Sequence, residues 1–286
     1  MTKREATGSF FNLKDVQGNG PRMDFKTSTS IWPVDELIRK AAAQWRKYTG
    51  EDGKTGSRAG AMREEETAYS GTYSLFPAPL AQWILLRYGG GPTRGEKKTV
   101  VLDPFCGGPV RGVVTAVMGY SYHGVDVRQE AVDENNVVIE KHDLQAKYYV
   151  HDSRALKNFF PSEFFDMMFT CPPYYNLEVY SEQKDDISNT KNYEDFLEDI
   201  YQIWEATYSI LKKDAFACIV VGNFRQGDEL IDFRGDTVAL MKEAGFTFWQ
   251  DVILSRSAGS AAVRAGTSWR GLKLVPRHEH LLVFRK

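Results

Sequence analysis

From residue 99 onward the chain alternates short apolar runs with amphipathic segments, and this alternation restricts the possible folds more than any other feature. Strands that alternate with helices form a parallel, doubly wound α/β sheet, because each crossover helix must cover the sheet. The last two strands have no helix between them, which indicates an antiparallel hairpin at one edge. The pattern predicts strands at 99–103, 120–126, 147–150, 165–170, 216–224, 246–255 and 280–286, with helices at 110–118, 129–141, 193–213 and 235–244.

The chain before this pattern predicts a separate extension. We expect residues 1–70 to form a basic N-terminal extension, with one amphipathic helix at 34–48 and a glycine-rich linker at 49–61. Residues 71–286 form the main domain, and they include the segment LFPAPLAQWILLRY at 75–88 and a basic loop at 255–278.

Charge is distributed unevenly along the sequence. Residues 1–63 carry 12 Lys/Arg and 7 Asp/Glu, residues 252–286 carry 7 and 1, and the stretch between them carries 17 and 30. Basic ends around an acidic body are typical of a protein that meets a polyanion with two flanking segments. A solvated surface that happens to segregate its charges gives the same pattern, and charge alone does not separate the two interpretations.

Composition excludes several classes of protein. There is no apolar run of about 18 residues, which predicts no membrane span, and the N-terminus MTKREATGSFF lacks the apolar core of a signal peptide. The three cysteines, Cys106, Cys171 and Cys218, are too few and too widely spaced for a disulfide framework or a zinc ribbon. These features predict a protein of the reducing cytoplasm.

A glycine-rich turn, DPFCGGPVRG at 103–112, follows the first predicted strand of the sheet and begins a helix. Small residues there let a ligand approach the backbone, and the N–H groups of the helix face it. The turn lacks the GxGxxG pattern of dinucleotide sites and the lysine of a phosphate-binding loop, so neither a dinucleotide nor a nucleoside triphosphate is favoured.

Three acids, Asp103, Asp126 and Asp152, follow three successive strands. The carboxyl ends of parallel strands meet at the same edge of a sheet, where such folds bind ligands. Asp126 is placed to accept hydrogen bonds from both ribose hydroxyls of a nucleoside, and Asp152 can accept one from an adenine amine. One acid alone is more often a loop carboxylate or a helix cap, whereas three in succession indicate a ligand site.

The fourth predicted strand, at 165–170, runs into the segment TCPPYYN at 170–176. Two prolines force a rigid, extended turn whose carbonyl groups remain free to accept hydrogen bonds. An amine that attacks a methyl group needs its hydrogens held by acceptors, and an adjacent aromatic ring can stack on a base. In isolation the motif would be a structural turn, but together with the three acids it predicts a site of reaction.

These motifs resemble those of S-adenosylmethionine-dependent DNA amino-methyltransferases. DPFCGG is similar to the family's DPFxGxG turn, with Pro109 in place of the third glycine. CPPY resembles the [Asp/Asn/Ser]-Pro-Pro-[Tyr/Phe/Trp] motif, with Cys171 at the first position. Because Cys171 precedes the prolines, it does not match the Pro-Cys nucleophile of cytosine C5 enzymes.

The resemblance extends over about residues 71–286. LFPAPL at 75–80 is similar to the family's FPxxL segment beside the methyl donor, and RHEHLLVFRK resembles the strand that ends many such enzymes. CPPYYNLEVYS, followed by DDISN, resembles a subgroup often encoded by phages and prophages.

The resemblance implies a Rossmann-like methyltransferase fold with a seven-stranded sheet and an antiparallel last strand. It also implies methyl transfer from S-adenosylmethionine, without a metal, to adenine N6 or cytosine N4 in DNA, as in restriction–modification. The target base is flipped out of the stack. The donor site implied by the motifs and the three acids consists of Phe76, Pro77, Asp103, Pro104, Phe105, Gly107, Gly108, Asp126 and Asp152, and the catalytic turn of Cys171, Pro172, Pro173 and Tyr174.

The resemblance leaves two alternatives. One is a methyltransferase of the same fold that acts on RNA or another substrate, because RNA also offers exocyclic amines. The other is a nucleic-acid-binding relative that has lost activity. For DNA contact we predict the small, polar and basic loop between the last two strands, with Arg256, Arg264, Trp269, Arg270, Lys273 and Arg277 as its binding residues.

Overall fold

The computed structural model describes residues 31–33, 45, 76–177, 185–255, 269 and 271–286. Its twelve described strands are β1 (Ile31–Pro33), β2 (Thr93–Arg94), β3 (Lys97–Lys98), β4 (Val100–Asp103), β5 (Ser121–Asp126), β6 (Ala146–Val150), β7 (Phe165–Thr170), β8 (Leu211–Val221), β9 (Phe224–Gln226), β10 (Glu229–Ile231), β11 (Thr247–Ser255) and β12 (His278–Arg285). The described helices are α1 (Ala78–Tyr88), α2 (Val110–Val117), α3 (Gln129–Lys141), α4 (Leu156–Phe159), α5 (Tyr193–Ile210) and α6 (Phe233–Glu243). Short 3-10 turns span Ser153–Ala155, Tyr175–Leu177 and Ile187–Asn189.

One mixed sheet organises these elements, in the order β1-β11-β12-β8-β7-β4-β5-β6. β6, β5, β4, β7 and β8 run parallel to one another. β12 lies antiparallel between β8 and β11. The predicted α/β fold is therefore confirmed, with all seven predicted strands and with the last strand inserted antiparallel.

Short strands were not predicted. β1 pairs in parallel with β11 and forms the edge of the sheet, so the sheet has one strand more than the sequence pattern indicates. β2–β3 and β9–β10 form small hairpins. A strand of two or three residues is too short to show an alternation of apolar and polar side chains. Such pairings therefore leave no periodic signal in the sequence.

Helices cover both faces of the sheet. On one face, α1 and α2 pack in a cluster that contains Leu80, Ile84 and Val114. On the other, α5 and α6 pack around Trp204, Phe233 and Met241. β7, which lies between the halves of the sheet, is buried along its whole length, as expected for a strand covered on both sides.

Helix boundaries follow local chemistry. α1 has Pro79 in its first turn, where a helix needs no N–H from that residue. α5 begins after Asn192, whose side chain accepts the N–H of Asp195 at 2.8 Å. It ends at Ile210 rather than at 213, because Leu211 already belongs to β8.

The predicted N-terminal extension falls mostly outside the described residues, including nearly all of the helix predicted at 34–48. Trp45 is described and is only 2% exposed. Its indole Nε1 donates to Gln82 Oε1 of α1 at 3.3 Å, and it belongs to the same apolar cluster as α1. At Trp45 and β1, therefore, the segment before residue 71 packs on the main domain.

None of the helices in the described part of the chain has the length and apolar content that a membrane span requires.

Candidate active site

A cavity of about 150 Å³ lies at the carboxyl ends of β5, β7 and β8. This is the edge at which open α/β sheets bind their ligands. Twelve of the thirteen residues predicted for the donor site and the catalytic turn line it: Phe76, Pro77, Pro104, Phe105, Gly107, Gly108, Asp126, Asp152, Cys171, Pro172, Pro173 and Tyr174. The structure therefore brings the three sequence motifs into one site.

Asp103 is the exception, and its predicted contact with the donor needs correction. Its side chain is fully buried and does not line the cavity. The carboxylate instead accepts hydrogen bonds from Arg111 Nε at 2.6 Å, Thr170 Oγ1 at 2.7 Å and Tyr122 Oη at 2.8 Å. Asp103 thus fixes neighbouring elements from inside, because the strand that carries it ends beneath the glycine-rich turn rather than in the open site.

Arg111, in the first turn of α2, was missed by the sequence interpretation. It is 7% exposed and lines the cavity. Besides Asp103, its guanidinium donates to the carbonyl groups of Phe105 and Cys106, and it lies 5.3 Å from the ring centre of Phe76. Burial acts to lower the pKa of Arg111, but Asp103 outweighs it and the pKa is raised. Arg111 therefore remains a cation that ties the glycine-rich turn together.

Close packing of α2 on the sheet explains this burial. A Cβ on Gly112 would lie 1.9 Å from Tyr148 Oη, so only glycine lets the helix approach so near. The sequence does contain a signal for the buried pair of Arg111 and Asp103. Arg111 stands between an apolar residue and Gly112, and it follows the strand-end acid Asp103 by eight residues.

Asp126 lines the cavity with a side chain that is 11% exposed. It accepts the N–H of Gly107 at 3.0 Å and, through its other oxygen, the N–H of Arg128 at 3.0 Å and Arg128 Nε at 3.2 Å. Gly107 has φ +47°, a left-handed conformation that favours glycine. Asp126 thereby holds the glycine-rich turn against the end of β5.

The backbone of that turn faces open space. A Cβ built on Gly108 would meet no atom within 4 Å, and Gly108 lies in the cavity wall with Phe105 and Asp126. A bare backbone, an aromatic ring and a carboxylate suit a nucleoside, which has a flat base and ribose hydroxyls. These residues therefore fit the adenosine part of S-adenosylmethionine.

Asp152 combines both roles considered for it, a helix cap and a cavity carboxylate. Its side chain accepts the N–H of Arg154 at 2.9 Å at the start of a 3-10 turn, and it lines the cavity. Arg154 also pairs with Asp199 at 2.7 Å and with Asp185 at 3.7 Å. The acidic segment around Asp185 and Asp186 therefore forms one wall of the site.

The Pro-Pro-Tyr turn also forms part of the cavity wall. Cys171 is a reduced cysteine of intermediate exposure, and it lines the cavity together with Pro172 and Pro173. The ring of Tyr174 packs edge to face against Phe233 and Phe224, with ring centres 6.0 and 6.3 Å apart. Two aromatic neighbours hold the tyrosine ring in place at the cavity.

Other wall residues had no predicted role. Ser153 donates from Oγ to the carbonyl group of Pro104 at 2.7 Å and so joins two loops of the site. Glu279, near the start of β12, also lines the cavity. It lies within the segment RHEHLLVFRK that the resemblance identifies, but the sequence pattern assigns it no function.

The predicted DNA-binding loop is described only in part, and Arg256, Arg264 and Arg270 lie outside the described residues. Trp269 is 77% exposed, and Arg277 is exposed as well. Lys273 Nζ pairs with Asp228 Oδ1 at 2.5 Å, at the tip of the β9–β10 hairpin. Within the described ranges there is no group of three or more side chains suited to hold a metal ion.

The C-terminal region, residues 165–286, matches the family model of N6/N4 methyltransferases, described as DNA methylase. This confirms the resemblance to the amino-methyltransferases over the part of the chain that contains the Pro-Pro-Tyr turn and β12. The matched region does not include the glycine-rich turn, and the family model does not distinguish the phage-like subgroup.

The individual relatives and solved structures that match this chain have low sequence identity to it. A tRNA (guanine(10)-N2)-dimethyltransferase of Pyrococcus abyssi is 25% identical over 136 residues, which are 44% of this chain and 40% of the relative. The crystal structure of TrmN from Thermus thermophilus has a TM-score of 0.50 at 16% identity. The superposition covers 74% of this chain and 49% of the TrmN chain. A structure of SAM-dependent methyltransferases from Methanosarcina mazei has a TM-score of 0.46 at 13% identity. The superposition covers 65% of this chain and 92% of the Methanosarcina chain.

The chain thus spans less than half the length of the curated relative and about half of TrmN.

Proposed function

We propose that this protein transfers a methyl group from S-adenosylmethionine to the exocyclic amine of adenine, at N6, or of cytosine, at N4, in DNA. The observation that carries the proposal is the meeting of the glycine-rich turn, Asp126, Asp152 and the Pro-Pro-Tyr turn in one cavity. The match of residues 165–286 to the DNA methylase family model supports the same reaction class.

The donor half of the cavity would hold the nucleoside. Asp126 already accepts three hydrogen bonds from Gly107 and Arg128, and a carboxylate has about four acceptor positions, so one position remains for a ribose hydroxyl. Asp152, at the end of the next strand, would accept from the adenine amine. S-adenosylmethionine supplies a methyl group made electrophilic by the positive sulfur that carries it.

The acceptor half would position the target base. The Pro172 carbonyl group and Cys171 would hold the hydrogens of the amine, so that its lone pair is directed at the methyl group. Tyr174, braced by Phe224 and Phe233, would stack on the flipped base. Stacking of this kind contributes roughly 1–3 kcal/mol per base.

Sequence charge supports a nucleic acid as the partner. The net charge of residues 252–286 is positive, and cationic side chains that neutralise phosphates give much of the affinity for DNA. The exposed Trp269 in this stretch would contact a base or a sugar. RNA is the second candidate, because the curated relative with 25% identity is a tRNA methyltransferase.

Labelled methyl transfer tests the proposal. Purified protein is incubated with methyl-labelled S-adenosylmethionine and with DNA or tRNA in parallel, and the products are hydrolysed and identified. We expect N6-methyladenine or N4-methylcytosine in the DNA. Label in tRNA alone would favour the second candidate, and no label in either would refute methylation of nucleic acid.

Tyr174→Ala provides the matched variant. Loss of stacking should lower turnover on DNA, while the affinity for S-adenosylmethionine, measured by isothermal titration, stays near the wild-type value. Full activity on DNA in this variant would exclude the stacking role of Tyr174.

Salt dependence tests the basic loop. Each phosphate contact contributes about 0.9 to the slope of log affinity against log salt for duplex DNA. Replacement of both Arg264 and Arg270 by alanine should weaken DNA binding and flatten this slope, with donor affinity unchanged. Wild-type affinity and slope would place the DNA surface elsewhere, with the basic segment around Arg39 and Arg46 as the next candidate.

A further inference from the structure

An attacking amine on a nucleobase needs two hydrogen-bond acceptors, one for each of its hydrogens. Its lone pair is otherwise shared with the aromatic ring and points away from the methyl group. In the proposed function, the carbonyl group of Pro172, a residue of the cavity wall, is one of these acceptors. At the other expected position this chain has Cys171, whose sulfur is only a weak acceptor. The described site therefore needs a stronger acceptor from another element.

Glu279 is placed to supply it. β12 pairs with β8, with His280 opposite Val221, so Glu279 stands beside the carboxyl end of β8. The other neighbour of β8 is β7, the strand that leads into Cys171. Because adjacent strands lie about 4.8 Å apart, the backbones of β12 and β7 are roughly 10 Å apart, and one target base between them can reach both.

The space at Gly222, directly after β8, brings Glu279 close to the catalytic turn. The position of a Cβ on Gly222 is 3.5 Å from Glu279 Cγ and 3.5 Å from Tyr174 Oη. Glu279 and Tyr174 thus both lie close to the same point, and both line the cavity. The absence of a side chain on Gly222 leaves this point open between them.

The flanking histidines do not share the position of Glu279 in the site. Alternate residues of a strand point to opposite faces, and His280 uses its Nδ1 to contact Asp251 Oδ1 at 2.9 Å. His278 is exposed, and neither histidine lines the cavity. Of these three residues, only Glu279 lines the cavity.

We propose that Glu279 accepts a hydrogen bond from the target amine and so provides the acceptor that Cys171 lacks. This assignment rests on the proposed function. The nitrogen–carbon bond forms as the sulfur–carbon bond breaks with its electron pair left on sulfur, and the nitrogen releases one proton. Glu279 receives that proton and passes it to water, which leaves the methylated base neutral.

Single-turnover kinetics on DNA test this role. Positioned acid–base groups typically contribute 10²–10⁴-fold to the rate. We expect Glu279→Ala to slow the methyl-transfer step by at least about 100-fold, with donor affinity within twofold of wild type by isothermal titration. Glu279→Gln, which keeps an acceptor oxygen but cannot take the proton, should lose less activity. His278→Ala, on the same strand but outside the cavity, is the matched control.

Rescue separates this role from a structural one. If Glu279 replaces the missing acceptor, adding Cys171→Asn to the Glu279→Ala variant should raise its rate at least about tenfold. The amide oxygen of asparagine then stands at the first position of the Pro-Pro-Tyr motif, where the family has an acceptor. A protein damaged in its fold would not regain activity in this way, and thermal unfolding of each variant reports such damage directly.

Two results would overturn the assignment. One is a Glu279→Ala variant with a single-turnover rate within about twofold of wild type. The other is a slow variant that Cys171→Asn fails to rescue. Wild-type protein is measured alongside on DNA and on tRNA. Methylation of tRNA alone refutes the DNA proposal, and the same variants are then measured on tRNA. Methylation of neither substrate refutes both proposals.

Discussion

Arg111 allows the sharpest test of how the glycine-rich turn is held, because one buried side chain joins three parts of the site. Arg111→Leu removes the guanidinium that donates to Asp103, Phe105 and Cys106 and keeps an apolar side chain beside Phe76. The carboxylate of Asp103 would then stay fully buried without its cation.

The expected magnitude follows from that burial. Removing one partner of a buried ion pair costs about 3–5 kcal/mol, because the remaining charge is left uncompensated. Asp103 keeps hydrogen bonds from Tyr122 and Thr170, so we expect the lower end, about 3 kcal/mol. For a chain of this size, that loss lowers the melting temperature by roughly 5 °C.

Urea unfolding, followed by circular dichroism, measures the loss. Lys157→Ala is the matched control, because the Lys157–Glu205 pair is about half exposed on both sides and should contribute less than about 1 kcal/mol. The double variant Arg111→Leu with Asp103→Asn removes both charges and should recover part of the loss. A single-variant loss as small as that of the control, or a double variant worse than both single losses together, would refute the reasoning.

Three further predictions concern single residues. Asp126→Ala should weaken S-adenosylmethionine binding by about 1.5–3 kcal/mol, and unchanged affinity in isothermal titration of a folded variant would remove Asp126 from the donor site. Cys171→Ser should retain substantial activity, whereas abolished turnover together with a covalent adduct on 5-fluorocytosine DNA would indicate a nucleophilic cysteine. Burial, with Lys147 nearby, lowers the pKa of His123 from 6.5 to about 4, so the unfolded chain gains a proton below pH 6.5 that the folded protein does not. The free energy of unfolding should therefore fall by about 2 kcal/mol between pH 7 and pH 5, and a His123→Phe variant that shows the same fall would refute this cause.

The strands and the composition of the site were predictable for the same physical reason. Parallel strands all end at one edge, so acids and turns that follow successive strands must meet there. Asp126, Asp152 and the Pro-Pro-Tyr turn needed only this rule. β12 was predicted as well, because its apolar run shows its burial, although its place between β8 and β11 came from the family resemblance rather than from the residues.

Contacts that depend on packing depth could not be predicted in this way. A strand-end acid looks the same in the sequence whether it faces a ligand or an arginine, and only the close approach of α2 decides that Asp103 pairs with Arg111. β1 joins the sheet at residues more than 200 positions from its partner β11. Glu279 lies in a segment that resembles a family strand, but the resemblance does not mark the role proposed for it, because its position relative to Tyr174 depends on strand order.

The central place of β12 has a consequence for the order in which this protein can fold. During synthesis β8 emerges with one edge unpaired, and β11 follows without a neighbour on that side, because the strand that pairs with both is made after them. The sheet can close only when residues 278–285 have left the ribosome. Until then the nascent chain carries an open, apolar strand edge, which is the kind of surface that pairs with other chains. Chaperone dependence and yield on expression should therefore respond more strongly to changes in β12 than its eight residues suggest.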